Sequence, residues 1–252
     1  MIKNQRLDLI LKLISEKKHI SVNELSSTLG YAKSTIRADL NLLAEAGKII
    51  RTHGGASLSN NENSSSTLFE SRIKTCVAEK KEIASKAISK IKNDECIILD
   101  ASTTCYELAK LIAKSSLRIT VLTNGYLIAD TLKSNKNIST VIIGGLLSSD
   151  SYWVEGTMGV YILDNFNITK AFISSRAINE NGLDDFNIYA VQLKKVFIEK
   201  SNEIYALIDN TKFDKNSAAN ICNLSEINYL ITDSKLSNNV KKYYEKLGVE
   251  IL

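Results

Sequence analysis

Seven polar side chains lie within a short stretch near the start of the chain: Lys33, Ser34, Thr35, Arg37, Asn41, Arg51 and His53. Their chemistry suits hydrogen bonding to a polyanion, with Ser34, Thr35 and Arg37 placed to reach base edges and Lys33, Arg51 and His53 the backbone phosphates. A second set is dispersed along the rest of the chain but repeats one local pattern. Asp100, Ser102, Thr103 and Thr104, then Thr123 and Asn124, then Gly144 and Gly145, and finally Lys212 after Asp209, each follow a short apolar run. Hydroxyls ahead of a helix start, with its unpaired N–H groups and a lysine in support, suit a phosphate-sized anion. Singly, Asp, Ser and Thr are also ordinary helix caps, so the weight lies in their recurrence. A metal centre is not expected: His19 and His53 are the only histidines, and Cys76, Cys96, Cys105 and Cys222 form no C-x-x-C pair. The cysteines read as reduced, small, buried residues, and no cofactor is implied.

The first set needs short helices to present it. Leu7, Ile10, Leu11 and Ile14 fall at i, i+3, i+4 and i+7, one face of a helix over Asn4–Glu16. Ser21-Val-Asn-Glu24 has the form of a capping box, after which Val22, Leu25 and Leu29 line an inner face and Gly30 ends the helix. A third helix from Lys33 to Ala46 buries Ile36, Leu40 and Leu43, leaving Ser34, Ala38 and Asn41 opposite, Arg37 on the flank, and Gly47 as the stop. Two helices joined by about three residues, the second polar and basic near its start, fit a B-DNA major groove. The segment from Lys48 to Ala56 then alternates as a hairpin, with Gly54 and Gly55 expected to allow a tight turn. Arg51 and His53 would face the DNA backbone from this wing.

Residues 57–67 (SLSNNENSSST) lack large apolar groups except Leu58 and read as a linker. The expected organisation is therefore a winged helix-turn-helix over 1–56, this linker, and a larger domain over 68–252. A helix over Cys76–Ile91 opens the larger part. Beyond it, apolar runs at Cys96–Leu99, Ile119–Leu122, Thr140–Ile143, Ala171–Ile173, Ile204–Ile208 and Tyr229–Ile231 alternate with helical stretches, one of them Tyr106–Ala113. This rhythm implies an α/β domain with a mostly parallel sheet. The second set of residues then collects at the carboxyl ends of the strands, where open parallel sheets bind ligands. Arg176 is a further basic residue near that edge.

The net charge of +4 comes from 32 basic and 28 acidic side chains. Residues 1–56 hold nine basic and five acidic groups, so the whole excess lies there and the remainder is formally neutral. A basic head on a neutral body suits a nucleic-acid-binding module attached to a regulatory or catalytic domain. No apolar run approaches the ~20 residues of a membrane span, and the start MIKNQRLDLILKLISEKK is too charged for a signal peptide. The expected location is the cytoplasm.

Thr35-Ile-Arg-Ala-Asp-Leu40 and Arg51-Thr-His-Gly-Gly-Ala56, with the segment VNELSSTLGYAK before them, resemble the DeoR family of bacterial repressors. The resemblance continues through Ile98-Leu-Asp-Ala-Ser-Thr-Thr104, Thr123-Asn124, Gly144-Gly145, Gly182-Leu183 and Asp209-Asn-Thr-Lys-Phe213, and so spans nearly the whole chain. It implies double-stranded operator DNA as partner, a homo-oligomer of two or more copies, and an effector domain similar in fold to ribose-5-phosphate isomerase. It also implies a phosphorylated sugar or related metabolite as effector, in a pocket formed by Asp100, Ser102, Thr103, Thr104, Thr123, Asn124, Gly144, Gly145 and Lys212.

Several positions depart from the family pattern. Ala32 replaces a capping Ser and Ala38 a second Arg. In the larger domain, Ser102 replaces a Gly, Cys105 a Thr, Ser148 an Arg, Ser174 a Gly and Ala190 a Glu. These leave two outcomes besides ordinary sensing: a different ligand, or a constitutive DNA-binding protein whose sensor no longer responds. An alternative of another class is a sugar-phosphate isomerase with Asp100, Asp184 or Asp209 as base. It is disfavoured, because no histidine or carboxylate cluster accompanies them.

Overall fold

A computed structural model describes residues 3–17, 19–45, 49–52, 54–58, 65–147 and 152–252. The chain divides into two compact units, Met1–Leu68 and Phe69–Leu252.

In the first unit, helix α1 (Lys3–Lys17) is followed by strand β1 (His19–Ser21), helices α2 (Val22–Leu29) and α3 (Lys33–Glu45), and strands β2 (Ile49–Thr52) and β3 (Gly55–Leu58). The helical periodicity fixes the core: Ile10 and Ile14 of α1, Leu25 of α2, and Ile36 and Leu40 of α3 are wholly buried together with Ile20. Ser21 caps α2 by accepting the N–H of Glu24 at 3.1 Å, and Gly30 closes it at φ 71°. The Glu24 carboxylate is held below its usual range chiefly by Lys17, 2.5 Å away, and also by the Ser21 backbone. The expected stop at Gly47, the hairpin start at Lys48 and His53 lie outside the described residues.

The wing differs from the expected two-stranded hairpin. β3 pairs antiparallel with both β2 and β1, giving the order β1-β3-β2. Neither Gly54 nor Gly55 takes the left-handed conformation expected of a glycine turn. Gly55 is required for another reason: a Cβ there would lie 2.2 Å from the carbonyl oxygen of Ile20. The close approach of β3 to β1 leaves no room for a side chain.

The second unit is a three-layer α/β structure. After α4 (Ser65–Lys74), which begins before the division between the units, and α5 (Val77–Ile88) come β4 (Cys96–Leu99), α6 (Thr103–Ala113), β5 (Ile119–Thr123), α7 (Tyr126–Leu132) and β6 (Ile138–Ile142). Then follow β7 (Lys170–Ile173), β8 (Ala177–Asn179), β9 (Gly182–Asp185), α8 (Ile188–Lys200), β10 (Glu203–Leu207), β11 (Ala219–Cys222), β12 (Tyr229–Ile231), α9 (Asn238–Lys246) and β13 (Glu250–Ile251). Seven strands form a wholly parallel sheet in the order β13-β12-β10-β7-β4-β5-β6. Residues alternate between its two faces as the strand period requires. Ile98, Leu122, Ala171 and Ala206 enter one core with α8 and α9, while Ile97, Leu99, Val121, Phe172 and Leu207 enter the other with α5 and α6.

Several features depart from the sequence expectation. Helix α4 begins at Ser65, inside the stretch read as linker, and α5 is shorter than the expected Cys76–Ile91. Helix α6 starts at Thr103 rather than Tyr106, because Ser102 caps it by accepting the N–H of Cys105 at 3.1 Å. A second, antiparallel sheet, β11-β9-β8, was not foreseen.

Candidate functional site

On α3 the buried stripe of Ile36, Leu40 and Leu43 turns the opposite face outward, so Lys33, Ser34, Arg37 and Asn41 are exposed and Thr35 is half-buried. Ser34, Arg37 and Asn41 stand at i, i+3 and i+7, one side of the helix. Arg51, on β2, is half-buried, and its Nη1 is enclosed without a hydrogen-bond partner among the described residues. Asp39 belongs to the interior. It is 2 % exposed and accepts the Arg6 guanidinium in a fork, Nε to Oδ2 at 2.6 Å and Nη2 to Oδ1 at 3.0 Å. Arg6 also lies over the Tyr31 ring at 4.7 Å. This clamp ties α1 to α3 and fixes the angle at which the exposed face is presented.

In the larger unit the chain runs from β4 outward to β5 and β6, then returns to β7 on the other side of β4. The order reverses between β4 and β7, and their carboxyl ends open a crevice, the place where such sheets bind ligands. Asp100, at the end of β4, spans it. Its backbone N–H donates to the Phe172 carbonyl at 3.1 Å, and its carboxylate accepts the N–H groups of Ser102 at 3.0 Å and Ser174 at 2.9 Å. Asp100 is thus a brace between the two strand ends. Thr103 and Thr104 occupy the first turn of α6 and are buried, and the Thr104 Oγ1 has no hydrogen-bond partner among the described residues.

On the neighbouring strand end, Thr123 Oγ1 accepts the N–H of Gly125 at 3.0 Å, and Asn124 Nδ2 donates to the Val154 carbonyl at 3.1 Å. The Asn124 Oδ1 is buried and unpartnered in the same sense. Gly144 and Gly145 follow β6 at the rim. A Cβ on Gly145 would fall 2.4 Å from the Glu155 carbonyl, so this glycine serves the packing of the 152–155 segment. The crevice therefore gathers the Asp100–Thr104 loop with Thr123 and Asn124, while the glycine pair stands further along the sheet. Lys212, beyond β10, reaches in from the other side and donates to Ser174 Oγ at 2.9 Å.

Sequence reasoning missed most of the charge here. Lys194 of α8 is 8 % exposed and donates to the Ser174 carbonyl at 2.7 Å and Asp185 Oδ2 at 2.8 Å, with Asp100 Oδ2 3.5 Å away. Burial pushes its pKa down, but Asp185 and Asp100 outweigh burial and hold it above the usual lysine range. Burial likewise opposes ionisation of Asp185, yet Lys194 keeps it below the usual carboxylate range. For Lys212 burial prevails, Lys194 adds to it, and the pKa falls despite Asp209 and Asp100. Lys80 of α5 is pushed down to about 8, first by burial and then by Lys212, with Asp209 opposing. Arg72 of α4 is lowered by burial, against the field of Asp185 and Asp100. The signal that could have found Lys80 and Lys194 is phase. Lys80 precedes Ile83, Ala84 and Ala87, and Lys194 stands between Val191 and Phe197, each in register with a buried stripe.

The three carboxylates considered as catalytic bases are each engaged. Asp100 braces the crevice, Asp209 caps the turn at Asn210–Lys212, and Asp184 accepts from Asn179 Nδ2 at 2.8 Å and the Ser217 N–H at 3.2 Å. A separate cavity of about 350 Å³ between α5 and α6, flanked by Lys81, Lys110 and Lys114, lies away from the sheet edge. No group of three or more potential metal ligands occurs among the described residues. Among the same residues, no helix is long and apolar enough to cross a membrane.

Family models match the chain twice: a DeoR-like helix-turn-helix domain over residues 6–62 and the DeoR C terminal sensor domain over residues 75–234. The chain belongs to the DeoR family. Like other members it is a DNA-binding transcriptional regulator, and the isomerase alternative is set aside on that ground. This DeoR-family regulator is similar to the HTH-type transcriptional regulator GolR of Listeria innocua, 38 % identical over 98 % of this chain and 97 % of the relative. It is 34 % identical to the L-fucose operon activator of Haemophilus influenzae over 96 % of this chain and 97 % of that one. With the Glycerol-3-phosphate regulon repressor of Escherichia coli it shares 30 % identity over 93 % and 92 %. Among solved structures, a D-ribose-5-phosphate isomerase in complex with phospho-erythronic acid is similar over 53 % of this chain and 52 % of its own, at 18 % identity and a TM-score of 0.40. The fold assignment of the DeoR-family chain stands on its strand order and family matches.

Proposed function

We propose that this regulator is a cytoplasmic repressor of carbohydrate-metabolism genes, acting as a dimer or higher oligomer on operator DNA. Ser34, Thr35, Arg37 and Asn41 meet the major groove, and Lys33, Arg51 and His53 meet the backbone. A phosphorylated sugar or related metabolite in the β4/β7 crevice lowers operator affinity. The observation that carries the effector reading is the charge of that crevice. Lys194 and Lys212 both reach its centre, donating to the Ser174 carbonyl at 2.7 Å and to Ser174 Oγ at 2.9 Å. Two cations at a strand end suit a phosphate monoester, which carries about −1.5 to −2 near neutral pH. Thr104 Oγ1 and Asn124 Oδ1 add a donor and an acceptor that have no hydrogen-bond partner among the described residues. The Asp100 brace positions this group rather than contacting the ligand.

Fluorescence polarisation with DNA from upstream of the protein's own gene, over a salt series and a panel of sugar phosphates, tests this reading. Tight binding that falls steeply with salt, as counterion release requires, and that one sugar phosphate relieves, is the expected result. Salt-sensitive binding that no compound alters would remove the effector from the proposal. A flat salt dependence would remove the operator contacts.

A further inference from the structure

The larger unit carries a group of large apolar side chains that its own fold does not cover. Leu146, Met158, Tyr161, Phe186, Ile188 and Tyr189 are each half or more exposed, Met158 and Tyr161 the most at 79 % and 77 %. They come from three segments laced together. Leu146 and Glu155 exchange both backbone hydrogen bonds, each at 2.9 Å. Gly159 lies so close to Gly144 that a Cβ on it would fall 2.3 Å from the Gly144 carbonyl oxygen. Asn187 caps α8 by accepting the N–H groups of Tyr189 at 2.9 Å and Ala190 at 3.2 Å, and it donates through Nδ2 to Glu155 Oε1 at 3.2 Å. The six apolar side chains therefore stand on one framework of paired backbone.

The same segments are almost free of charge. Residues 137–163 hold two charged side chains, Asp150 and Glu155, and residues 186–193 hold none, whereas 24 % of the whole chain is charged. Asp150 lies outside the described residues. Glu155 is engaged within the face, accepting from Trp153 Nε1 at 3.1 Å as well as from Asn187. Exposed aromatic and methionine side chains with charge depleted around them have the composition of an interface core rather than of a solvated surface. A two-fold contact brings the same residues together from both sides, so a charged face would repel its own copy, whereas a neutral apolar one meets it without that cost. Such a face offers no cation to the phosphates of DNA. Six large side chains at this exposure present on the order of 600 Å², most of the roughly 800 Å² that each partner of a standard interface buries.

We propose that this face is the contact between two copies of the chain, related by a two-fold axis. The proposal rests on the oligomer named above and adds the surface that forms it. Because the contact uses only residues of the larger unit, the exposed side chains of α3 in both copies remain free for a pair of operator half-sites.

Sedimentation equilibrium of the full-length protein over a micromolar concentration series tests the contact. The variants are Tyr161→Glu and Ile188→Glu on the face and, as a reference, Leu247→Glu, which changes an exposed apolar residue just ahead of β13, at the edge of the parallel sheet opposite β6. The wild type and Leu247→Glu are expected to sediment as a dimer or a multiple of one. Each face variant should raise the dissociation constant roughly a hundredfold or more, since association would bury an unpaired carboxylate. Face variants that assemble like the wild type leave the oligomer standing and overturn its assignment to this face. Leu247→Glu dissociating as readily as they do overturns it as well, because the effect would then not belong to this face. A wild type that stays monomeric at every concentration removes both the oligomer and the contact, and gives the face to a different partner. Should a glutamate variant lose its fold by circular dichroism, Met158→Lys decides the matter, and wild-type assembly there overturns the proposal.

Discussion

Arg37 and Asp39 are two residues apart on α3, and their side chains have opposite surroundings. Arg37 is exposed on the outer face, whereas Asp39 is 2 % exposed and locked to Arg6. Arg37→Ala should therefore leave the melting temperature unchanged and weaken DNA binding, by about 1–3 kcal/mol if it reads a base, or with a salt slope lower by about one if it holds a phosphate. Affinity equal to wild type at every salt concentration would deny it either role. Asp39→Asn should do the reverse in order of cause, lowering the melting temperature of the first unit by roughly 5 °C, the scale on which a domain of this size responds to one lost interaction. The resemblance motif contains both residues, and only the buried stripe tells them apart. Asp39 lies between Ile36 and Leu43 in helical phase, as Lys80 and Lys194 lie in phase with their own stripes. Charged residues in apolar register were legible as buried. What they pair with was not, because Arg6, Asp185 and the Arg72 carbonyl come from other elements.

At the scale of elements, the strands with β-branched, apolar runs were read within a residue or two, whereas the order of the parallel sheet and its edge strand β13 were not read from the sequence. The antiparallel sheet was missed because Ala177–Asn179, Gly182–Asp185 and Ala219–Cys222 are short, partly polar and carry little β-branched weight. Its buried Asp184 carboxylate accepts from Asn179, Asn220 and the Ser217 N–H, none of which adjoins it in sequence. The wing shows the same limit. The glycine pair was visible, but the reason for it is a third strand. Gly55→Ala should cost about 1–3 kcal/mol, the range for overpacking, since the new Cβ would lie 2.2 Å from the Ile20 carbonyl oxygen. Gly54→Ala meets nothing within 4 Å and should be nearly neutral. Thermal unfolding of the two variants separates close approach from turn chemistry. Equal destabilisation would mean that the turn, and not the β1–β3 contact, selects glycine.

At the scale of the whole sensor unit, the crevice is a charge balance assembled from α4, α5, α8 and the ends of β4, β7 and β10, and pH acts on it through one group first. Lys80 has a pKa of about 8, below the ordinary lysine value, set by burial and Lys212 against Asp209, with Cys76 and Arg72 as weaker neighbours. The unfolded chain therefore holds more protons than the folded one between about pH 8 and the ordinary lysine range, and this group adds stability as pH rises through that window. Lys194 works in the other sense. Its raised pKa gives stability that is complete below the ordinary lysine value and is lost only as pH climbs through the raised one. Asp185, lowered, contributes above the ordinary carboxylate range and loses its contribution in acid. An anion in the crevice favours the charged form of Lys80, so binding near pH 8 must draw a proton onto it. Calorimetry of inorganic phosphate at pH 8, repeated in buffers of different ionisation enthalpy, should show net proton uptake on binding. The phosphate itself is already mostly dianionic there and contributes little. Lys80→Met should bind more weakly and take up none. Proton uptake that survives this substitution would place the titrating group elsewhere, and uptake absent from the wild type would mean that Lys80 stays charged above pH 8.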